Sequence, residues 1–424
     1  MLLFSTTVDY FAGLRMARSR TLLVRRGFLI LSLCTNLGLL AFFKYSSFFA
    51  TSFVGLVQAL GWSIPAPSWS ILLPVGISFY TFQTLSYSID IYRGRLEPTP
   101  NFTDFALYVS FFPQLVAGPI VRASEFLPQL QEDRRATARA LNWGVILFIV
   151  GLFKKAYLAD AVFGPVADAA YVHSASLGAL HAWVGTYAFA GQIYCDFSGY
   201  TDMAIAVALM LGFHLPDNFR APYGATGFSD FWRRWHISLS SWLRDYLYIS
   251  IGGNRKGSLR TQTNLAITML LGGLWHGASW TFVVWGGLHG AFLMAERWIR
   301  RLASGWQKPL WWTRALLVLI TFHLTCVAWV FFRSQSFTQA GTIVQAMFGL
   351  VSGTGIPPFG RFKMVLVLFW MVSILLLHGV WRDRSLEEWA DRGGAVATGV
   401  VAAIMLFLVL TKGGYGADFI YFQF

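Results

Sequence analysis

Apolar segments of membrane-crossing length recur along this chain of 424 residues. A helix needs about 20 predominantly apolar residues to cross the hydrocarbon core of a bilayer. The candidate segments are residues 27–60, 71–90, 141–163, 180–194, 203–213, 265–275, 280–298, 316–332, 365–381 and 395–410. Charged residues make up 12% of the chain, about half the share in soluble domains, which excludes an ordinary soluble enzyme. The sequence predicts an all-α polytopic membrane protein whose single domain covers residues 1–424.

Two of these segments, residues 203–213 and 265–275, are too short to cross a bilayer alone. We expect them to be broken or re-entrant, or to be flanked by interfacial turns. Because irregular backbone at membrane depth persists only inside protein or beside a water-filled cavity, the short segments predict an internal cavity. Residues 27–60 are long enough for one tilted helix, or for two helices with a break near Lys44.

Basic residues fall in four clusters, which set the predicted orientation of the chain. The 33 lysines and arginines exceed the 20 aspartates and glutamates, giving a net charge of +13. In a membrane protein this excess indicates cytoplasmic loops rather than a nucleic-acid surface, so all four clusters are predicted to be cytoplasmic. Residues 61–69 carry no charge and are predicted to lie on the opposite side. The clusters are Arg15, Arg18, Arg20, Arg25 and Arg26; Arg93 and Arg95; Arg233, Arg234, Arg244, Arg255, Lys256 and Arg260; and Arg297, Arg300 and Arg301.

The loop at residues 217–263 has the densest polar content of the chain. Five of its apolar residues recur at steps of 4, 4, 3 and 4, which is the period of one helix face. They are Phe231, Trp235, Leu239, Trp242 and Tyr246. The pattern predicts an amphipathic helix that either lies in the membrane plane at the cytoplasmic surface or packs against other protein. The Gly-rich basic run at residues 252–257 is compatible with phosphate binding or with a solvated turn.

Histidines are the main candidates for chemistry, because a titratable side chain at membrane depth is costly and is usually functional. Of the eight histidines, His276, His323 and His378 are the best candidates for a position at membrane depth. His276 stands in LLGGLWHGASW, where Trp275 and Trp280 are predicted to wall a pocket and the glycines permit close approach. A neutral imidazole there can remove a proton from a hydroxyl nucleophile, or it can simply join helices by hydrogen bonds. Both roles remain open for His276 and His323, whereas His378 is assigned the structural one.

Other residue types indicate no standard site. The three cysteines, Cys34, Cys195 and Cys326, lie in or beside separate apolar runs, so neither a disulfide framework nor a Cys-rich metal site is expected. Asp196 and Asp202 in DFSGYTDM are compatible with a polar pathway or with a turn that an aspartate caps. The sequence contains no motif of serine hydrolases, P-loop proteins, zinc proteases or dinucleotide-binding domains.

Four blocks of the chain carry a resemblance to a known family. In chain order they are LLPVGISFYTFQTLSYSIDIYRG, YCDFSGYTDMAIAVALMLGF, FWRRWHISLSSWLRDYLYISIGGNR and LLGGLWHGASWTFVVWGGLHG. Together they resemble the membrane-bound O-acyltransferases, and most closely the alginate O-acetyltransferase branch, from about Asp9 to Arg333. The resemblance implies that His276 matches the family's catalytic histidine and that His323 matches its second histidine.

The resemblance also implies a fold, a location and a reaction. The fold is a ring of about ten transmembrane helices with re-entrant segments around a central funnel, in a bacterial inner membrane. Acetyl-CoA is implied as the acetyl donor, without a metal, and an exported polysaccharide such as alginate as the acceptor. An extracytoplasmic acetyltransferase is implied as a partner protein. Family members usually begin with further apolar helices, so about two N-terminal helices are expected to be missing before MLLFSTTVDYFAGLRMARSR.

Two alternative functions fit the sequence. One keeps the enzyme class but changes the acceptor to a lipid or another cell-envelope glycan. The other is a transporter of an acylated carrier, in which His276 and His323 form a proton relay. A transporter of this kind usually shows paired repeats, and the sequence has no visible repeat.

Overall fold

A computed structural model of the chain describes residues 1–65, 71–115, 118–302, 310–351, 353, 358–414 and 419–420, and within them it has helices and no strands. In chain order the α-helices are α1 (Leu2–Arg18), α2 (Leu22–Leu40), α3 (Ser46–Ala59), α4 (Ile77–Tyr92), α5 (Phe102–Ser110), α6 (Phe112–Leu115), α7 (Ala123–Phe126), α8 (Ala138–Leu152), α9 (Gly164–Val172), α10 (Ala179–Met210), α11 (Phe228–Phe231), α12 (Ile237–Trp242), α13 (Gly257–His276), α14 (Trp280–Leu302), α15 (Trp311–Arg333), α16 (Phe337–Met347), α17 (Arg361–Trp381) and α18 (Leu386–Lys412).

Three segments have the wider π-helical turn, which accommodates an extra residue and often marks a functional site. Ala41–Tyr45 joins α2 to α3, Phe153–Phe163 joins α8 to α9, and Leu243–Tyr248 continues α12. Residues 27–59 are therefore part of one continuous helical rod, Leu22–Ala59. The disturbance predicted near Lys44 is a π-helical turn rather than a break.

Four helical segments in the described part of the chain are long and apolar enough to cross a membrane. They are Leu22–Ala59, Trp311–Arg333, Arg361–Trp381 and Leu386–Lys412. The last of these is kinked at Gly394, whose positive φ of 75° suits glycine. The predicted class, an all-helical membrane protein, is confirmed, and the ring of about ten transmembrane helices stays a prediction.

Residues 180–194 and 203–213 are not separate segments as predicted, because residues 179–210 form the single 32-residue helix α10. Asp196 and Asp202 lie inside this helix and are neutralised by the π-helical segment after α8. Lys155 Nζ lies 2.5 Å from Asp196 Oδ1, and Lys154 Nζ lies 2.6 Å from Asp202 Oδ2. These two ion pairs allow the helix to continue through its acidic residues.

The second short segment, residues 265–275, is also an unbroken helix. It belongs to α13, which begins at Gly257 in the polar loop and therefore has 20 residues. The sequence pattern underestimated its length because the first two turns of α13 are polar.

The four basic clusters lie on one face of the molecule, because hydrogen bonds link them. Arg25 Nη2 donates to the carbonyl oxygen of Tyr92 at 2.7 Å, and Arg93 Nη2 donates to Ser250 Oγ at 2.8 Å. Arg301 Nη1 donates to Ser258 Oγ at 2.7 Å. The rod Leu22–Ala59 is about 57 Å long, so the charge-free residues that follow it lie at the far end from Arg25. Of those charge-free residues, 66–69 lie outside the described part of the chain.

We expect the basic face to be cytoplasmic, since positive residues are retained there. A cysteine at the exposed Ser258, with Cys34, Cys195 and Cys326 replaced, should resist a membrane-impermeant thiol reagent in intact spheroplasts and react after lysis. Ser63→Cys in the same background is the matched control and should react before lysis. Labelling of Ser258→Cys from outside would invert the orientation.

Candidate active site

His276 is the last residue of α13 and lies at the tight connection to α14, where it is 3% exposed. Glycines create this geometry. A Cβ atom on Gly273 would overlap the carbonyl oxygen of Phe282, and one on Gly286 would overlap that of Met269. The glycines before His276 therefore serve the close packing of two helix backbones.

Aromatic rings enclose the His276 imidazole on several sides. The ring centroids of Trp275, Trp285 and Phe332 lie 5.0, 4.9 and 5.3 Å from the imidazole centroid. Trp275 thus walls the site as predicted. The same prediction is wrong for Trp280. Its side chain is 53% exposed and packs against α3 instead. The rings hold the imidazole away from bulk water. Electrostatic interactions are stronger in this interior than in water.

The π-helical turn Ala41–Tyr45 contacts the carboxyl end of α13. Lys44 Nζ donates to the carbonyl oxygen of Trp275 at 2.6 Å and approaches that of His276 at 3.4 Å. Tyr45 Oη donates to the carbonyl oxygen of Leu274 at 2.9 Å. A cation at a helix C-terminus satisfies carbonyls that lack intrahelical partners and complements the helix dipole. Lys44 and Tyr45 therefore fix the backbone that carries His276.

His236, which the sequence analysis did not single out, faces His276 with 6.3 Å between ring centroids. It is fully buried and has a positive φ of 44° between α11 and α12. Its Nδ1 lies 3.1 Å from Asn218 Oδ1, which also accepts from the N–H and hydroxyl of Ser238. Because Asn218 Oδ1 only accepts, Nδ1 carries the proton and Nε2 presents a lone pair. Burial lowers the pKa of His236 to about 3, so the ring is neutral at physiological pH.

His289 is a third imidazole, fully buried on α14. The ring of Trp285 lies 4.9 Å from His276 and 4.9 Å from His289, so one indole contacts both imidazoles. Phe231 stacks on the other side of His289 at 5.6 Å. Neither nitrogen of His289 has a hydrogen-bond partner within the described ranges. We call His236, His276 and His289, with Trp275 and Trp285, the histidine chamber.

His323 lies outside the histidine chamber. Its Nδ1 donates to the carbonyl oxygen of Leu319 at 2.7 Å, so its Nε2 accepts from the hydroxyl of Tyr187 at 2.9 Å. Phe332, which packs on His276, is nine residues further along α15, about 13 Å along the helix axis. The structure therefore does not bring the two predicted histidines together, and the role of His323 stays a prediction.

His378 joins three elements, as predicted for a structural histidine. Its Nδ1 accepts from the N–H of Tyr223 at 3.2 Å, and its Nε2 donates to the hydroxyl of Tyr194 at 3.0 Å. These bonds tie α17 to the turn before α11 and to α10.

The amphipathic stripe of the polar loop is real, but it does not form one helix. The backbone reverses at His236, which separates α11 from α12. All five stripe residues are buried, between 0% and 7% exposed, so the stripe packs against protein and does not lie on the membrane. At residues 252–257, Arg255 and Lys256 are exposed and Gly252, Gly253 and Gly257 have positive φ, which agrees with a solvated turn.

The cysteines and acidic residues form no metal site among the described residues. Cys195 and Cys326 are buried and Cys34 is exposed, each as a free thiol.

Fold and site together define a helical membrane protein with several imidazoles in a buried aromatic chamber. The family model of MBOAT, the membrane-bound O-acyltransferase family, matches residues 92–338, a range that includes the whole histidine chamber. The chain belongs to this family and is therefore an acyltransferase.

Relatives that act on cell-envelope polymers are similar to the chain over most of its length. It is 43% identical to the probable alginate O-acetylase of Azotobacter vinelandii, over 81% of this chain and 67% of the relative. It is 38% identical to a peptidoglycan O-acetyltransferase of Helicobacter pylori, over 82% and 70%. It is 26% identical to a teichoic acid D-alanyltransferase of Bacillus subtilis, over 64% and 71%. The chain thus spans about two thirds of the length of these relatives.

Proposed function

We propose that this protein takes an acetyl group from a cytoplasmic thioester, acetyl-CoA, and moves it across the bacterial inner membrane for O-acetylation of an exported polysaccharide such as alginate. The observation that carries the proposal is the buried His276 at a fixed helix end, in the segment that matches the family. An extracytoplasmic acetyltransferase is the proposed partner, receiving the acetyl group or completing its transfer.

His276 is the general base of the proposed reaction. Its imidazole removes the proton of the acceptor hydroxyl while that oxygen attacks the carbonyl carbon of the thioester. A C–O bond forms and the C–S bond breaks, which leaves an ester and a thiolate. The imidazolium then returns its proton to the thiolate, so the products are an acetyl ester and free CoA. Aromatic walls exclude water, which would otherwise hydrolyse the thioester.

The other groups of the histidine chamber orient His276 and the substrates. Lys44 holds the carbonyl end of α13, so the imidazole has a fixed position. The Nε2 lone pair of His236 is available to accept a hydrogen bond from the acceptor hydroxyl or from the His276 ring. Preorganised groups of this kind lower the barrier because little reorganisation is left for the transition state.

A second candidate exists for the acceptor of the acetyl group. The similarity to a peptidoglycan O-acetyltransferase favours a second envelope glycan in place of alginate. Both acceptors are carbohydrate hydroxyls and require the same base. No similarity of this kind supports a lipid as the acceptor.

The decisive experiment is a transfer assay with the purified protein in nanodiscs. Acetyl-CoA carrying a radiolabelled acetyl group should release one CoA thiol for each acetyl ester formed on oligomannuronate, or on the partner protein when it is present. Peptidoglycan fragments supply the second acceptor arm. Movement of label without cleavage of the thioester would contradict the proposed enzyme and favour a transporter.

His323 should matter less than His276. Replacement by alanine removes the acceptor of the Tyr187 hydroxyl, whereas glutamine can still accept that hydrogen bond. We expect His323→Gln to keep most of the transfer rate and His323→Ala to lose more, at equal protein amounts in the nanodisc assay. Equal and complete loss in both variants would instead indicate that His323 transfers a proton.

A further inference from the structure

A large cavity lies between α8, α10, α17 and α18. Its volume is about 750 Å³, which is within the size range of ligand sites. The walls are mostly aliphatic and aromatic, and include Leu147, Ile374, Trp370 and Met405.

One end of the cavity, which we call its mouth, is lined by residues at the ends of four helices, α8, α10, α17 and α18. Thr137 at the start of α8 and Trp381 at the end of α17 line one end of it. Lys154, in the π-helical segment that continues α8, and Trp370, about three turns before Trp381 on α17, line it further from this end. These spacings are 17 residues from Thr137 to Lys154 and 11 from Trp370 to Trp381, so the cavity extends over about 16 to 25 Å. One leaflet of the hydrocarbon core is about 15 Å thick, so the cavity has roughly the depth of a leaflet.

Membrane lipid lies next to the helices that form the cavity wall. Both α17 and α18 are long and apolar enough to cross the membrane, and little of their surface is buried in the protein. Their outer faces therefore contact hydrocarbon, while their inner faces line the cavity.

The mouth of the cavity carries three arginines and three carboxylates, and one of the arginines has no acidic partner among the described residues. Arg139 is paired with Glu387 at 3.0 Å and with Asp391 at 2.9 Å, and Arg220 with Asp217 at 2.9 Å. Arg384 also lines the mouth, is exposed, and forms no ion pair in the part of the chain that the structure describes. The cavity lining also includes Trp143, Trp381 and Trp389. Tryptophan is enriched at the level of the lipid headgroups.

An aromatic layer separates the cavity from the histidine chamber. Phe219 lines the cavity, and the other side of its ring lies 6.5 Å from His236. Tyr194 lines it too, and its ring lies 6.5 Å from Trp235. A thioester seated in the cavity would thus be shielded from His276, which argues against the acetyl donor as the occupant.

We propose that the cavity binds a membrane phospholipid with an anionic headgroup, such as phosphatidylglycerol. An acyl chain fills the apolar channel between α10 and α17, and the phosphate binds the guanidinium of Arg384 at the mouth. Such a lipid fills the space that α8, α10, α17 and α18 enclose. The site is separate from the proposed acetyl transfer and does not depend on it.

The test is lipid binding by the delipidated full-length protein in detergent, followed by native mass spectrometry and by thermal unfolding. Phosphatidylglycerol should bind and raise Tm, more strongly than phosphatidylcholine. Arg384→Ala should weaken phosphatidylglycerol binding about tenfold, since one charge-assisted hydrogen bond is lost. Ala402→Phe, which fills the channel, should reduce the binding of both lipids. Arg361→Ala, on the opposite end of α17, is the matched control and should bind like the wild type.

Three results would overturn the proposal. The first is equal binding of the two lipids by the wild type together with no effect of Arg384→Ala. The second is full binding by Ala402→Phe. The third is displacement of the lipid by acetyl-CoA, which would make the cavity the donor site. Glycerol phosphate, the headgroup without chains, should not raise Tm, and a rise would assign the mouth to a free phosphate.

Discussion

Replacing His276 by alanine should reduce acetyl transfer by about 10²- to 10⁴-fold, the range typical of a lost general base. The variant should still accumulate in the membrane, because the close packing of α13 on α14 depends on Gly273 and Gly286 rather than on the imidazole. The rate is measured as CoA release in nanodiscs, with equal amounts of folded protein verified by gel filtration.

His173→Ala is the matched control, since this histidine is exposed and lies in the turn after α9. Its transfer rate should equal that of the wild type. A His276→Ala variant that retains wild-type activity would remove His276 from the mechanism.

His236→Ala should give the second largest loss, about 10²-fold, if Nε2 of His236 orients the hydroxyl or the His276 ring. The mutation removes a neutral acceptor 6.3 Å from the His276 ring and leaves an apolar gap. Since burial lowers the pKa of His236 to about 3, this ring stays neutral above about pH 4, and the pH profile of the wild type should show no step from it.

Asn218 provides the control for the tautomer of His236. Asn218→Leu removes the acceptor that keeps the proton on Nδ1, so it should lower the rate while His236 is still present. Wild-type rates in both His236→Ala and Asn218→Leu would show that His236 only fills space.

The membrane class and most helix positions could be predicted from the sequence, because apolar length is a local property. The continuity of α10 could not. Asp196 and Asp202 resemble helix-breaking polar residues until Lys154 and Lys155 are placed beside them, and these lysines come from a segment about 40 residues earlier in the chain. Buried ion pairs between distant segments leave no periodic signal in either segment.

In the candidate site, too, local features could be predicted from the sequence, and features that depend on distant segments could not. His276 was identified because it interrupts an apolar run, and Trp275 because it is next to His276. His236 was missed because it lies in a basic loop, where a histidine looks like a solvated residue. The five-residue stripe around it predicted one helix, and it gave no indication of the positive φ of 44° that separates α11 from α12. His289 was missed because GGLHGAF offers no neighbouring polar group, and its surroundings come from α11 and α14 together.

The π-helical turn at Ala41–Tyr45 means that the position of Lys44 is encoded by the number of residues as well as by their identity. One residue more or fewer in a regular α-helix turns everything beyond it by about 100°, and the wider turn here accommodates one such extra residue. Deleting a single alanine or phenylalanine there would restore a regular α-helix, keep the hydropathy almost unchanged, and turn the Lys44 side chain away from the end of α13. In this turn, a change in length would therefore be as damaging as the loss of the charge itself.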